Sequence, residues 1–434
     1  VAEMKLFLGF PDEAIVVVQS AGRTASLSRE ASPDSAVGRV LKAQTRGPLD
    51  HWETLTPEEA FTALELVRAE CVSYLVKKDE TQAAFTALEK RLSRLKGASV
   101  PHLWIRWARA WSWFLCEILG RAPDAMRACT LVRTQVPPAV LAADEDAIAF
   151  VRAEEVATSS LGDFTRARAL TEEHLALAER AGKLRDLCLG WNARSIVHYG
   201  LGELRDARRG FERSLELARS TGWLRREAIT LHNLTLVLVE LGEADLAFST
   251  AATSQRLSVL VGNHAGLAEA PLLLASAELT RGRLNEAEAH VATARRAAES
   301  NGWDMLVAWS RALQGRVRLL RYKRGGDALE VTKARNDLLA AIEVFEERSL
   351  AWTEELDPGE VFAHYALTLK WGGQTKQGVE LVARALAKLP TENFVSRQQL
   401  ALASSALAGQ PADLSWFEAN GFARRVALWR ELSA

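Results

Sequence analysis

Residues 202–242 read GELRDARRGFERSLELARSTGWLRREAITLHNLTLVLVELG. The stretch opens and closes on glycine, Gly202 and Gly242, and Gly222 divides it into two equal halves. In the first half Leu204, Ala207, Phe211, Leu215 and Ala218 recur at intervals of three and four, the spacing that puts side chains on one face of an α-helix. In the second half Ile229, Leu234, Leu236, Leu238 and Leu241 are dense enough for a helix covered on more than one side. Glycine at each junction supplies the positive φ that ends a helix and turns the chain. The stretch is therefore two antiparallel helices of about 16 to 18 residues each.

The same text recurs outward. Gly162, Gly202, Gly242 and Gly282 are spaced by 40 residues, and Gly182, Gly222, Gly262 and Gly302 keep that period 20 residues out of step. Ala167, Ala207, Ala247 and Ala287 follow in register, where a small side chain lets the two helices of a unit approach closely. A lone helix pair cannot cover both of its faces, so such units stack. The pattern continues more loosely at Gly120 with Ala125, over 57–97 with a turn at Lys77–Glu80 and a stop at Gly97, and over 303–348 with a turn at Arg321–Asp327. Residues 358–389 make a further pair around Gly372 and Gly373, and 391–432 read as three shorter helices. Gly9 with Ala14 repeats the spacing at the start, so Val1 is expected inside a broken first repeat and the chain to be a piece of a longer protein. Residues 22–56, with Gly22, Pro33, Gly38, Gly47 and Pro48, read as an irregular insertion or as an inter-domain linker. The expected organisation is a broken repeat plus insertion over 1–56, a solenoid over 57–390 and capping helices over 391–434. The fold class is all-α, a right-handed superhelix of about eight to ten helix pairs.

The segment Trp191, Ser195, His198, Gly202, Leu204, Ala207, Phe211 and Ser214 resembles the tetratricopeptide repeat signature in residue type and spacing. Leu231, Thr235, Leu238, Gly242, Ala247 and Ser254 repeat it, as do Pro271, Ala275, Gly282, Leu284, Ala287 and Ala294, with losses at the aromatic positions. The period departs from the usual length of about 34, which implies longer helices. Units of this length resemble the sensor arms of maltose-regulator-like signal-transduction ATPases and the C-terminal arrays of large bacterial Ser/Thr kinases. That resemblance implies a regulatory arm whose catalytic module lies elsewhere. Within this sequence there is no G-x-x-x-x-G-K-[ST], no H-R-D and no D-F-G, and the tail from Arg424 has no room for a DNA-reading helix pair.

Composition narrows the function classes. The chain has 54 cationic and 55 acidic residues, so its net charge of −1 gives no overall pull toward nucleic acid or anionic lipid. Cys71, Cys116, Cys129 and Cys188 lie far apart without metal-ligand spacing, the pattern of a reducing cytoplasm. No apolar run is long enough for a membrane span. Adjacent carboxylates such as Glu154–Glu155 and Glu346–Glu347 point apart on a helix and do not converge as acid and base. No nucleophile elbow, dinucleotide fingerprint or paired-His motif occurs, so no catalytic residue, cofactor or metal is expected.

Two clusters stand out. Trp104, Trp107 and Trp111 make one helix stripe, read either as core packing or as groove anchors. Counted back from each repeat glycine, Trp107, Phe114, Asn192, Ile196, Tyr199, His232, Leu236, Val239, Leu272 and Leu279 fall on the concave face of the array. Such a wall, mostly apolar with a few amides, suits an amphipathic helix or an extended peptide. Arg205, Arg208, Arg209 and Arg213 interleave with Asp206, Glu212 and Glu216, which favours pairing along the helix over nucleic-acid contact. Arg316, Arg318, Arg321, Lys323 and Arg324 crowd a helix C-terminus, where the macrodipole favours cations. The expected function is a non-catalytic protein-interaction scaffold, the regulatory arm of a larger cytosolic signalling protein, whose partners are a protein or peptide in the groove and the protein's own N-terminal effector module. The alternative is a receptor holding a small peptide or oligosaccharide, with Trp191 and Trp223 near Asn192 and Arg225 as candidate contacts.

Overall fold

The structure, a computed structural model, describes residues 55–74, 78–144, 146–348, 355–391 and 394–433. The broken repeat and nearly all of the irregular insertion therefore lie outside the described residues. Every regular element described is helical, and the chain divides into two compact units, Val1–Ala157 and Thr158–Ala434.

In the first unit α1 (Pro57–Tyr74) pairs with α2 (Lys78–Leu92), and α3 (Val100–Trp113) with α4 (Ala122–Gln135). The short α5 (Pro138–Ala143) and α6 (Ala147–Ser160) follow. The tryptophan stripe of α3 is core. Trp104 packs edge-on against Trp107 at 5.3 Å, Trp111 stacks on Phe85 at 5.0 Å, and the Trp107 indole donates to the Phe85 carbonyl at 3.0 Å. A single π-helical turn over Phe114–Ile118 extends α3, and Phe114 stacks on Trp111 within the same core. Glu70 ties α1 to α3 by accepting from Arg106 at 3.0 Å and from Arg109 at 2.7 Å.

The second unit follows the 40-residue frame. After α7 (Phe164–Arg180) come five hairpins: α8 (Leu184–Gly200) with α9 (Leu204–Ser220), α10 (Leu224–Glu240) with α11 (Ala244–Leu260), α12 (His264–Thr280) with α13 (Leu284–Asn301), α14 (Asp304–Lys323) with α15 (Leu329–Arg348), and α16 (Pro358–Trp371) with α17 (Thr375–Lys388). Then come α18 (Phe394–Leu407), α19 (Ser415–Ala419) and α20 (Ala423–Ser433), three helices where three were expected.

All eight repeat glycines have positive φ, 76–82° in the column of Gly162, Gly202, Gly242 and Gly282 and 62–65° in the other. At Gly202 the Glu203 amide donates back to the His198 carbonyl at 2.8 Å, and Gly242 and Gly282 repeat that bond at 2.9 Å. These are Schellman closures, which satisfy the last carbonyls of a helix before the chain reverses. Ala167, Ala207, Ala247 and Ala287 are wholly buried at the helix crossings, as their size predicts. The first helices of successive hairpins also touch one another, α8 to α10 to α12 to α14, and form an inner layer backed by the second helices.

Candidate functional site

The inner layer carries most of the concave-face residues expected from the sequence. Asn192, Ile196 and Tyr199 share a face of α8, His232, Leu236 and Val239 a face of α10, and Leu272 and Leu279 a face of α12. Trp107 and Phe114 are not among them; they sit in the core of the first unit.

The inner face is covered rather than open. Every residue of α10 from Thr230 to Glu240 is buried. Leu236, Val239, Leu272 and Leu279 belong to one continuous apolar cluster that also contains Val361, Phe362, Val426, Leu428 and Trp429 from α16 and α20. A run as dense as LTLVLVEL needs cover on more than one side. Its second cover is the chain's own C-terminal helices.

Along α10 the face has two chemically different halves. The first is polar and narrow. The Asn233 side-chain amide donates to the Asn192 side-chain oxygen Oδ1 at 3.2 Å, which joins neighbouring repeats. His232 meets the edge of Trp309 at 6.3 Å between ring centres, with Glu269 3.5 Å from its Nδ1 and Glu355 3.8 Å from its Nε2. Those two carboxylate side chains keep 27% exposure and form the rim, whereas Asn192, His232 and Asn233 are each 6% exposed. Burial pulls the His232 pKa down to about 4, so its ring is neutral at pH 7. Its Nε2 has no hydrogen-bond partner among the described residues.

The second half is a buried ion network that sequence reading missed. Glu240 of α10, Asp357 and Glu360 at the start of α16, Arg316 of α14, and Arg424 and Arg425 of α20 are all buried. Arg424 grips Glu240 through Nη2 at 2.6 Å and Nε at 3.0 Å, and reaches Glu360 at 2.7 Å. Arg425 binds Glu240 at 3.0 Å and Asp357 at 2.6 Å, and Arg316 binds Glu360 at 2.9 Å. Asp357 also caps α16 by accepting from the Gly359 amide at 2.9 Å, and it accepts from the Ser396 hydroxyl. Burial alone would raise the Glu240 and Glu360 carboxyls; the surrounding guanidiniums win and hold both below the usual carboxylate range. Burial lowers Arg316 to about 10, still charged at pH 7. Burial and the nearby Glu240 raise the Tyr199 phenol, which stays neutral beside the network. The sequence signals are one carboxylate in an apolar run, one Arg-Arg pair near the end of the chain, and Arg316, which the sequence groups with the cations of a helix C-terminus.

Most arginines of the two clusters pair with carboxylates, and Arg316 of the second is buried in the network. Arg208 binds Glu212 at 2.9 Å and Glu243 at 2.8 Å, and Arg213 binds Glu216 at 2.8 Å, as the interleaving on α9 predicts. In the second cluster Arg318 binds Asp337 at 2.9 Å and Arg321 binds Glu288 at 2.6 Å, so side-chain pairing places these cations in addition to any dipole effect. One trio among the described residues, His198, Glu203 and Asp206, has donor atoms close enough to surround a metal ion. Arg168 already binds Glu203 at 2.6 Å and Arg209 binds Asp206, so a cation there would compete with guanidiniums.

Known proteins share this architecture. A Rap protein complexed with Competence and Sporulation Factor aligns with a TM-score of 0.59 at 12% identity, over 86% of this chain and 98% of that one. NprR in complex with its cognate peptide NprX aligns with a TM-score of 0.55 at 11% identity, over 82% and 97%. The apo form of the quorum sensor NprR from B. thuringiensis gives 0.52 at 14%, over 81% and 95%. The fold is a tetratricopeptide-type α-solenoid. At these identities the likeness is one of fold. No protein-family model matches the chain, and no curated protein matches it in sequence. No described helix is long and apolar enough to cross a membrane.

Proposed function

We propose that the protein is a non-catalytic interaction scaffold whose inner face, at its polar half, receives an extended peptide. The observation that carries this reading is the Asn192–Asn233 pair beside His232. Asparagine amides one repeat apart can each donate to and accept from a peptide backbone, the bonds that give an extended ligand its affinity. The orphaned His232 Nε2 offers a further site for a ligand donor or acceptor. A solved structure of like fold, NprR, holds its cognate peptide. On this reading the half-buried Ile196 and Tyr199 back the ligand with apolar surface, and the solenoid acts as the regulatory arm of a larger cytosolic signalling protein.

The test is fluorescence anisotropy against a library of short peptides, followed by Asn192→Ala and Asn233→Ala. Loss of binding with an unchanged circular dichroism spectrum supports the groove; equal binding by both variants sinks it. The native mass of the protein in its source decides between a stand-alone receptor and an arm of a larger chain.

A further inference from the structure

The final helix occupies the inner face as a ligand would. Residues 408–414, which join α18 to α19, form no helix and are mostly exposed. Beyond them the chain crosses the repeat turns in order. Trp416 and Phe422 lie against Gly202, where an added Cβ would stand 2.8 Å from the Trp416 ring. Ala423 lies against Gly242, with 3.1 Å between Cβ positions. Farther on, Glu431 holds Arg324 at 2.7 Å, and Arg324 donates to the Gly282 carbonyl at 3.0 Å. The other glycine column is open among the described residues: no atom lies within 4 Å of a Cβ added at Gly182, Gly222, Gly262 or Gly302. Between the turns and the inner face, Arg424 and Arg425 fill the carboxylate trio of Glu240, Asp357 and Glu360, which without them keeps, among the described residues, Arg316 as its cation and two uncompensated negative charges.

We propose that α20 is an intramolecular ligand of the inner face, and that the partner it holds off is a basic peptide with two adjacent arginines. Apolar residues two, four and five positions after the first arginine would take the places of Val426, Leu428 and Trp429. This goes beyond the peptide-binding reading, whose ligand lies at the polar half: here the acidic trio selects paired guanidiniums, and the buried apolar cluster selects the apolar side chains C-terminal to them. While α20 is tethered, its local concentration excludes a free competitor. Release of the tail opens the seat.

The experiment starts from the whole chain, with a specific protease site placed in the exposed 409–413 link and cut after folding. A fluorescent peptide spanning 414–434 is then offered to the nicked protein, alongside the same peptide carrying Arg424→Glu and Arg425→Glu. Saturable exchange by the first, with the second weaker by at least about 100-fold, is the expected result. An unrelated peptide with the same Arg-Arg and apolar spacing should displace the label, and its scrambled version should not. Retention of the original fragment without exchange, equal binding by both peptides, equal displacement by the scrambled one, or aggregation when the fragment leaves would each overturn the proposal. A doubling of native mass through exchange of α20 between copies would overturn it too, in favour of a swapped dimer. Asn192→Ala in the uncut chain leaves the α20 seat intact, so the groove reading and this one fail separately.

Discussion

Arg424 and Glu240 lie 184 residues apart in the chain and meet through two hydrogen bonds of 2.6 and 3.0 Å, both side chains buried. The contact fixes the last helix to the middle of the repeat array. A buried ion pair is weak support for stability taken whole, because desolvation offsets most of the attraction, but removing one partner strands the other charge. Arg424→Met is therefore expected to cost about 3–5 kcal/mol in chemical denaturation. Arg430→Met, which removes an exposed partner of Glu418, should stay within about 0.5 kcal/mol. Equal effects for the two would mean that the network does not hold the tail.

The glycine columns give a second contrast. Alanine at Gly222 meets no described neighbour within 4 Å and suffers only the left-handed backbone, about 1–2 kcal/mol. Alanine at Gly202 has that cost and must also push Trp416 aside, a further 1–3 kcal/mol or so. Thermal melts of the two variants should differ in that order. Matching melting temperatures would show that the tail does not rest on the turn.

Acid should weaken the second unit before it protonates most surface carboxylates. Burial lowers His232 to about 4 and His364 to about 3, against an ordinary value of 6.5. Glu269 and Glu355 face the first; Glu360, Arg316, Arg424 and Arg425 surround the second. From pH 6.5 down to about 4 the unfolded chain takes up protons that the folded chain refuses. Stability is thus complete above pH 6.5 and falls as the pH drops, with a slope approaching two protons, about 2.7 kcal/mol per pH unit. His232→Gln should remove about one proton from that slope in denaturation curves taken from pH 7 to 4.5. An unchanged slope would mean that His232 is accessible to protons in the folded chain.

Asn192→Ala separates binding from folding. The Asn192–Asn233 hydrogen bond contributes about 1 kcal/mol, so the variant should fold normally and lose that much stability. Peptide affinity should fall further than stability does, because the backbone-pairing amide is gone. A parallel loss in both would make the pair a structural tie between α8 and α10.

Much of the fold was legible because a solenoid is nearest-neighbour physics. Gly202 and Gly242 mark turns, Ala207 and Ala247 mark close crossings, and Leu204 and Phe211 mark the packed face; each statement concerns residues within one unit or the next. The groove remains a proposal: the structure puts Asn192 and Asn233 in contact and His232 beside Trp309, and sets Tyr199 next to the ion network instead. Trp107 and Phe114 were placed by the same count but fold into another unit. A register shared by two segments does not say that they share a core.

The amino-acid sequence by itself determined the helix hairpins and their 40-residue period. Only the tertiary structure decided that the inner face is covered, that the returning tail rests on Gly202 and Gly242 while no described residue comes near a Cβ added at Gly182 or Gly222, and that Glu240 is answered by Arg424 and Arg425. The reason is physical. Periodic patterns record what each repeat needs from its neighbours, and the return of α20 repeats nowhere. Its energy lies in charges and apolar side chains brought together from distant parts of the chain, a pairing that no local spacing encodes.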